Sequence, residues 1–230
     1  MATFNGEKYL QEQIDSILAQ LQSEDELIIS DDGSTDQTLS ILKKYEGDPR
    51  VRLLAGPKQG LIKNFEHALV AAKGELIFLS DQDDIWLPNK VSRMVATFNS
   101  HPECLAVVSD LRITTENLEV IEPSFFKAKE VKTGILHNII RNTYIGAGMA
   151  FRRELLQQAL PFPDKLPMHD MWLGLLAGRR MILLPEVLTL YRRHGDNASE
   201  LETTTSFAQK LRWRIDLVRA LLHRRFFRRD

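Results

Sequence analysis

The sequence predicts an α/β fold: a Rossmann-like, doubly wound, mostly parallel sheet flanked by helices. Short apolar runs at 26–30, 51–54 and 75–80 alternate with segments whose apolar residues recur at helical spacing, the pattern of parallel strands joined by crossover helices. Two of those runs end directly in acids, Asp31-Asp32 and Asp81-Gln82-Asp83-Asp84. Ligands of such sheets bind beyond the carboxyl ends of the strands. A chain of 230 residues, 43% apolar and 27% charged, is long enough to bury a sizeable core.

Taken in order, Met1 to Gly6 reads as the loop closing a strand whose body is missing, so the first strand is expected to be truncated. Leu10, Ile14, Ile17, Leu18 and Leu21 then give a helix over 6–22. After the strand 26–30, Thr35 and Asp36 supply cap chemistry for a helix through Leu39, Leu42 and Tyr45, which Gly47-Asp48-Pro49 breaks. The strand 51–54 turns at Gly56, Pro57 and Gly60 into a helix over 62–73. The strand 75–80 follows, and 89–100 is helical. Beyond it the spacing predicts a strand pair over 105–113 and 118–121 and a helix over 133–141. A glycine-rich strand at 146–151, a helix from His169 to Ala177, and short strands at 181–184 and 187–192 complete the series. One domain over 1–200 and an appended basic amphipathic helix over 206–230 are expected.

The net charge is −1, unevenly spread: from Ser206 onward Lys210 and seven arginines face only Asp216 and Asp230, a segment of +6 on a body of −7. Nothing in that balance calls for nucleic acid. A single cysteine, Cys104, excludes an internal disulfide and cysteine metal sites, and fits a reducing cytoplasm. No leader and no apolar run of about 20 residues is visible, so cytoplasmic location is expected.

The chemistry concentrates at 75–86. Three carboxylates, Asp81, Asp83 and Asp84, crowd the end of a buried strand, where they repel and raise one another's pKa values. A divalent cation removes that objection. Oxygen ligands suit Mg2+ or Mn2+, which keep waters and share their shell with substrate phosphates. The competing reading has Asp83 or Asp84 capping the helix near Pro88.

Four stretches in order resemble the family 2 glycosyltransferases, inverting nucleotide-sugar enzymes with the GT-A fold. They are Thr3-Phe-Asn-Gly-Glu7, Ser30-Asp-Asp-Gly-Ser-Thr-Asp36, Ser80-Asp-Gln-Asp-Asp-Ile-Trp86 and Met168-His-Asp-Met-Trp172. The ending Tyr191-Arg-Arg-His-Gly-Asp-Asn197 is similar to the branch containing bacterial rhamnosyltransferases of surface polysaccharides. The resemblance implies transfer of a sugar from dTDP-rhamnose or a UDP-sugar to a saccharide or lipid-linked acceptor. It implies that Thr3, Asn5, Glu7, Asp31 and Asp32 contact the donor nucleoside, that Asp81 is the ribose-side acid and Asp83 a metal ligand, and that Asp84 stands behind them or on the acceptor side. Asp170 matches the catalytic base, and His194 a residue that completes the metal site or touches the diphosphate.

Each assignment has a plainer counterpart. Asp31 and Asp32 suit a strand-to-helix turn, Asp170 a helix N-cap, His194 a solvated loop, and Trp86 and Trp172 core packing as well as a sugar pocket. Lys58, Arg192 and Arg193 rank low as phosphate contacts, being read as surface residues. Two other functions stay open: a non-catalytic nucleotide-sugar-binding remnant, and an aspartyl-nucleophile phosphatase, which lacks here the threonine expected after its acids. In the tail, Leu211, Ile215, Val218 and Leu222, widened by Leu217 and Leu221, form a stripe among arginines. Such a helix suits the interface of an anionic membrane, on the inner face of the cell membrane; packing on the domain or on a partner is the alternative.

Overall fold

The computed structural model describes residues 1–195 and 207–227. In chain order its elements are β1 (Ala2–Thr3), α1 (Leu10–Leu18), β2 (Leu27–Asp31), α2 (Thr38–Lys43), β3 (Val51–Ala55), α3 (Leu61–Ala71), β4 (Leu76–Phe78), β5 (Ile85–Trp86) and α4 (Lys90–Ser100). There follow β6 (Ala106–Thr114), β7 (Val120–Glu122), α5 (Phe125–Lys129), α6 (Ile135–Ile140), β8 (Met149–Arg152), α7 (Glu154–Ala159), α8 (His169–Ala177), β9 (Met181–Arg192) and α9 (Phe207–Phe227).

The strands form two sheets. The first, β1-β2-β3, is wholly parallel, with Leu27 to Asp31 matched to Val51 to Ala55. All five β2 residues are buried, as expected of a strand covered on both faces. Only Ala2 and Thr3 pair on its other side, opposite Ser30 and Asp31. The second sheet runs β4-β8-β6-β9-β5, with β7 hairpinned onto β6. It is mixed: β6 and β9 are parallel, while β4-β8, β6-β8 and β5-β9 are antiparallel. The two strands expected at 181–184 and 187–192 are one, β9, whose register against β6 shifts around Asp110. That irregularity falls where Pro185 sits, a residue without the N–H a continuous ladder needs. Fully buried Phe65, Phe151, Leu155 and Trp172 join in the main core, which α3, α7 and α8 cover.

The tail helix divides its stripe. Leu217 is buried, and Ala220 and Leu221 pack with it on the main core. Arg214 donates to the Ile139 and Ile140 carbonyls, and Arg224 to those of Leu160 and Pro161, tying α9 to the last turn of α6 and the loop after α7. Leu211, Ile215, Val218 and Leu222 stay exposed. The side chains beyond Arg224 and the residues 228–230 lie outside the described set, as does Asp196-Asn197 of the last motif.

Candidate functional site

The strand ends of β2, in the first sheet, and β4, in the second, and the start of α8 carry two groups of carboxylates. In the first group the acids are occupied. Asp31 accepts from the backbone N–H of Gly33 and Ser34 and from the Ser34 hydroxyl, at 3.1, 3.0 and 2.5 Å. Asp32 accepts from the N–H groups of Lys58 and Gly60, both at 2.7 Å. This is the turn chemistry that competed with the nucleotide reading. Gly33 holds the turn at φ +93°, where an added Cβ would meet the Lys58 stem. The facing loop is woven into the same turn. The Asn5 side-chain oxygen accepts from Thr35 N–H at 2.9 Å, and Glu7 from Gln37 N–H at 2.9 Å. The Thr3 hydroxyl donates to Gln82 at 2.6 Å, which links this loop to the acidic turn after β4.

In the second group the acids are crowded. Neither Asp83 nor Asp84 caps α4: its N-cap is Asn89, in the left-handed region at φ 69°. Asp83 instead lies 2.9 Å from His194 Nε2 across 111 positions of sequence, and the His194 ring packs on Tyr9 at 4.8 Å. Asp84 is buried; one carboxylate oxygen accepts from Arg192 N–H at 3.1 Å and the other has no partner. Loss of water, together with Asp83 and Asp81, holds the Asp84 carboxyl well above the usual range. Asp81 keeps some exposure, yet lost hydration and the charges of Asp83 and Asp170 push its carboxyl up to about 7.

Asp170 is not a cap: Met168 holds that position, and Asp170 lies in the first turn of α8. Its two oxygens accept separately, Oδ1 from Met171 N–H at 2.6 Å and Oδ2 from Gly146 N–H at 2.9 Å. Burial raises its carboxyl to about 6, with those N–H groups pulling the other way. The glycine that the sequence marked at 146 thus serves as a donor to the base candidate.

Two groups in this site escaped sequence reading. Lys90 is fully buried; its ammonium donates to the Ala147 carbonyl at 2.7 Å and the Thr189 hydroxyl at 2.8 Å, over the Trp86 ring. Burial lowers its pKa to about 7 although Asp84 and Asp81 oppose this. Arg192, expected at the surface, is buried at 4% exposure. Its guanidinium donates to the carbonyls of Asp83 and Glu116 and to the Glu12 carboxylate, so it holds the acidic turn rather than offering itself to phosphate. The two tryptophans resolve to core packing: Trp172 is fully buried and donates to Ala159, and Trp86 is buried against Phe78. His169, beside Asp170, stacks on Phe65 at 3.9 Å with neither ring nitrogen partnered.

Among the described residues no group of three or more His, Cys, Asp or Glu side chains forms a ready-made cation cage. The donor set of Asp83 with His194, next to the orphaned oxygen of Asp84, fits a different kind of site. There the protein supplies one or two ligands, and waters and substrate phosphates supply the rest.

The family model described as Glycosyl transferase family 2 matches residues 1–160. An uncharacterized glycosyltransferase of Nostoc sp. is 28% identical over 209 residues, covering 86% of this chain and 64% of the relative. The chain therefore spans about three fifths of the length of the curated relatives it matches. Residues 1–349 of S. aureus TarS, solved with UDP-GlcNAc, superpose with a TM-score of 0.67 at 20% identity, over 98% of this chain and 71% of that one. A mannosyltransferase of Pyrobaculum calidifontis, solved with GDP-Man and Mn2+, gives 0.65 at 21% identity, over 97% and 61%.

Proposed function

The chain belongs to glycosyl transferase family 2, and on that premise we propose that it is an inverting, metal-assisted transferase. It moves a sugar from a nucleotide-diphosphate donor, a UDP-sugar or dTDP-rhamnose, to a saccharide or lipid-linked acceptor. The observation that carries this reading is the acid cluster at the end of β4: Asp81 within electrostatic reach of both Asp83 and Asp170, with His194 on Asp83.

Asp83 and His194 would hold the cation. A carboxylate suits Mg2+ or Mn2+ and an imidazole suits the transition metals, so the pair favours Mn2+. When bound, the ion neutralises charge developing on the departing diphosphate. The remaining chemistry belongs to side chains of this chain. Asp170, held by two N–H groups, takes the proton of the acceptor hydroxyl as that oxygen attacks the anomeric carbon from the face opposite the leaving group. A carboxyl pKa near 6 makes Asp170 a stronger base than an ordinary aspartate while leaving it ionised at neutral pH. Asp81 would accept from a hydroxyl of the donor ribose. The loop of Thr3, Asn5 and Glu7, with Asp31 and Asp32, shapes the nucleoside side through backbone it has already ordered.

Release of nucleoside diphosphate from UDP- and dTDP-sugars in the presence of Mn2+ tests this. Turnover that disappears in Asp83→Asn, with folding retained, is the expected result. Nucleotide binding without turnover in the parent chain would favour the non-catalytic reading instead.

Contact with an anionic membrane forms part of the same proposal. Among the described residues no helix is long and apolar enough to cross a bilayer. α9 instead exposes Leu211, Ile215, Val218 and Leu222 beside exposed Arg212 and Arg219, and α6 exposes Leu136 and Ile140. Apolar insertion with arginines on lipid phosphates suits that surface, each arginine adding about 1 kcal/mol. Co-sedimentation with phosphatidylserine vesicles should fall with salt and in Arg212→Glu/Arg219→Glu. Binding indifferent to lipid charge would remove the membrane from the proposal.

A further inference from the structure

The least expected charge in the interior is the ammonium of Lys90. The residue opens α4, yet its side chain is fully buried. The ammonium donates to the Ala147 carbonyl at 2.7 Å and to the Thr189 hydroxyl at 2.8 Å, and it lies 4.4 Å from the centre of the Trp86 ring. Taking an ammonium out of water is costly, and burial lowers its pKa to about 7 against the pull of Asp84 and Asp81. Hydrogen-bond satisfaction alone does not call for that charge. The Thr189 hydroxyl also donates to the Ala147 carbonyl, at 3.3 Å, and an uncharged side chain of similar volume at position 90 would carry no charge to desolvate. The place of Ala147 is what makes the charge useful. It is the middle residue of the short turn Gly146–Gly148, whose first N–H donates to Asp170 Oδ2 at 2.9 Å. That turn is wedged in place. A Cβ at Gly148 would lie 2.5 Å from the Ser109 carbonyl, one at Gly146 would lie 3.5 Å from the His169 and Asp170 side chains, and Ala147 packs with Leu111, Phe125 and Tyr191.

On the reading of Asp170 as the base, we propose that Lys90 is a positioning residue for proton transfer: through the Ala147 carbonyl it sets the Gly146–Gly148 turn so that Gly146 N–H holds the Asp170 carboxylate. The walls fix where the turn lies, and the charge-assisted bond to its central carbonyl fixes how its peptide planes are set. Lys90 thus acts from the interior, two hydrogen bonds away from the reacting oxygen. The competing place for its charge is the cation side, since Asp84 and Asp81 both feel it. The two roles differ in the step that suffers when the charge is removed: acceptor activation in the first, donor binding in the second. They also differ in what Asp170 reports. Burial and the N–H groups of Met171 and Gly146 set its carboxyl, with buried His169 beside it and Asp81 within electrostatic reach. Loosening the Gly146 bond takes away one of the groups that pull the carboxyl down, so its pKa rises.

The test compares the full isotope-labelled chain with Lys90→Met, which keeps the bulk and removes the charge, and with Thr189→Val, which leaves the ammonium in place. In the parent the Gly146 amide resonance should follow the Asp170 carboxyl, with an inflection near about 6. In Lys90→Met that inflection should move upward and hydrogen exchange at Gly146 should quicken, while Tm holds or rises. Thr189→Val should move the same two signals by less. With a UDP- or dTDP-sugar and Mn2+, kcat of Lys90→Met should fall about 10–100-fold while calorimetric donor affinity is unchanged. If Lys90→Met does not fold, Thr189→Val decides through the same amide. The amide signals need no substrate, so they decide the proposal even where the parent shows no turnover. An unmoved Gly146 inflection and exchange rate in the folded variant, whatever happens to Tm, would overturn the proposal. Lost donor affinity at unchanged kcat would overturn it too, and would assign the charge to the cation side.

Discussion

Two acidic turns, one after β2 and one after β4, begin from nearly the same local sequence and end in opposite electrostatic states. At Asp31 and Asp32 backbone N–H groups reach the carboxylates from the turn itself and from the loop after β3. Each charge there has donors that satisfy it. After β4 the donors are fewer: Asp84 keeps one oxygen unpartnered, and lost water and the Asp83 charge push both Asp81 and Asp84 upward. The contrast separates architecture from chemistry. A satisfied carboxylate fixes a loop, whereas a crowded, under-satisfied one stores an electrostatic demand that a cation or substrate meets.

The largest effect that sharpens this contrast should come from Asp170→Asn. Removing the proton acceptor should lower kcat and kcat/KM together by about 10²–10⁴-fold while donor affinity stays near the parent value. Calorimetric titration of the donor beside steady-state rates would check it, and unchanged kcat would return Asp170 to a purely local role at the start of α8. Asp32→Ala should do the reverse. It strands the N–H groups of Lys58 and Gly60, so folding stability should fall by about 1–3 kcal/mol in urea unfolding. The rate per folded molecule should drop far less than in Asp170→Asn.

The smallest effect is the dependence on pH. The base must be ionised, so turnover should rise with pH through about 6, the value to which burial lifts Asp170. For stability the sign is opposite. The folded carboxyl holds its proton more tightly than the unfolded one near ~3.9, so this group favours the folded state most at low pH. That contribution is lost as pH rises from about 4 through 6. Asp170→Asn should flatten both trends, and a parent profile with no inflection near 6 would break the link between burial and catalysis.

Much of this was legible beforehand because it is local. The helices α1 and α3 and the strands β2, β3 and β4 lie where period and turn residues put them, within a few positions at each end. The two acidic turns were visible as acids at strand ends. What sequence could not show is where each hydrogen bond goes. Asp31 and Asp84 look alike in a string of letters, and only the arrival of Ser34 at one and of Arg192 at the other distinguishes them. Lys90 was hidden for the same reason: a lysine opening a helix is normally solvated, and its partners at Ala147 and Thr189 lie 57 and 99 positions away. β5 is two residues long and exists only as a partner of β9, so no period could announce it. The apolar stripe of the tail is visible in the sequence, but its division between packed Leu217 and exposed Ile215 depends on how α9 is rotated against the main core.

Arg192 carries one further consequence, for the order in which the protein becomes active during its synthesis. Its backbone and guanidinium clasp Asp83 and Asp84 from 108 and 109 positions downstream, and His194 reaches Asp83 two residues later. A ribosome adding about 5–20 residues per second needs on the order of 5 to 20 s to travel from the acidic turn to the arginine that shapes it. During that interval β2, β3 and β4 are already outside or passing through the tunnel, while the turn lacks its clasp and its imidazole. A nascent chain therefore carries the acids without the assembled site, and the clasp that completes the acidic turn arrives only with the last residue of β9.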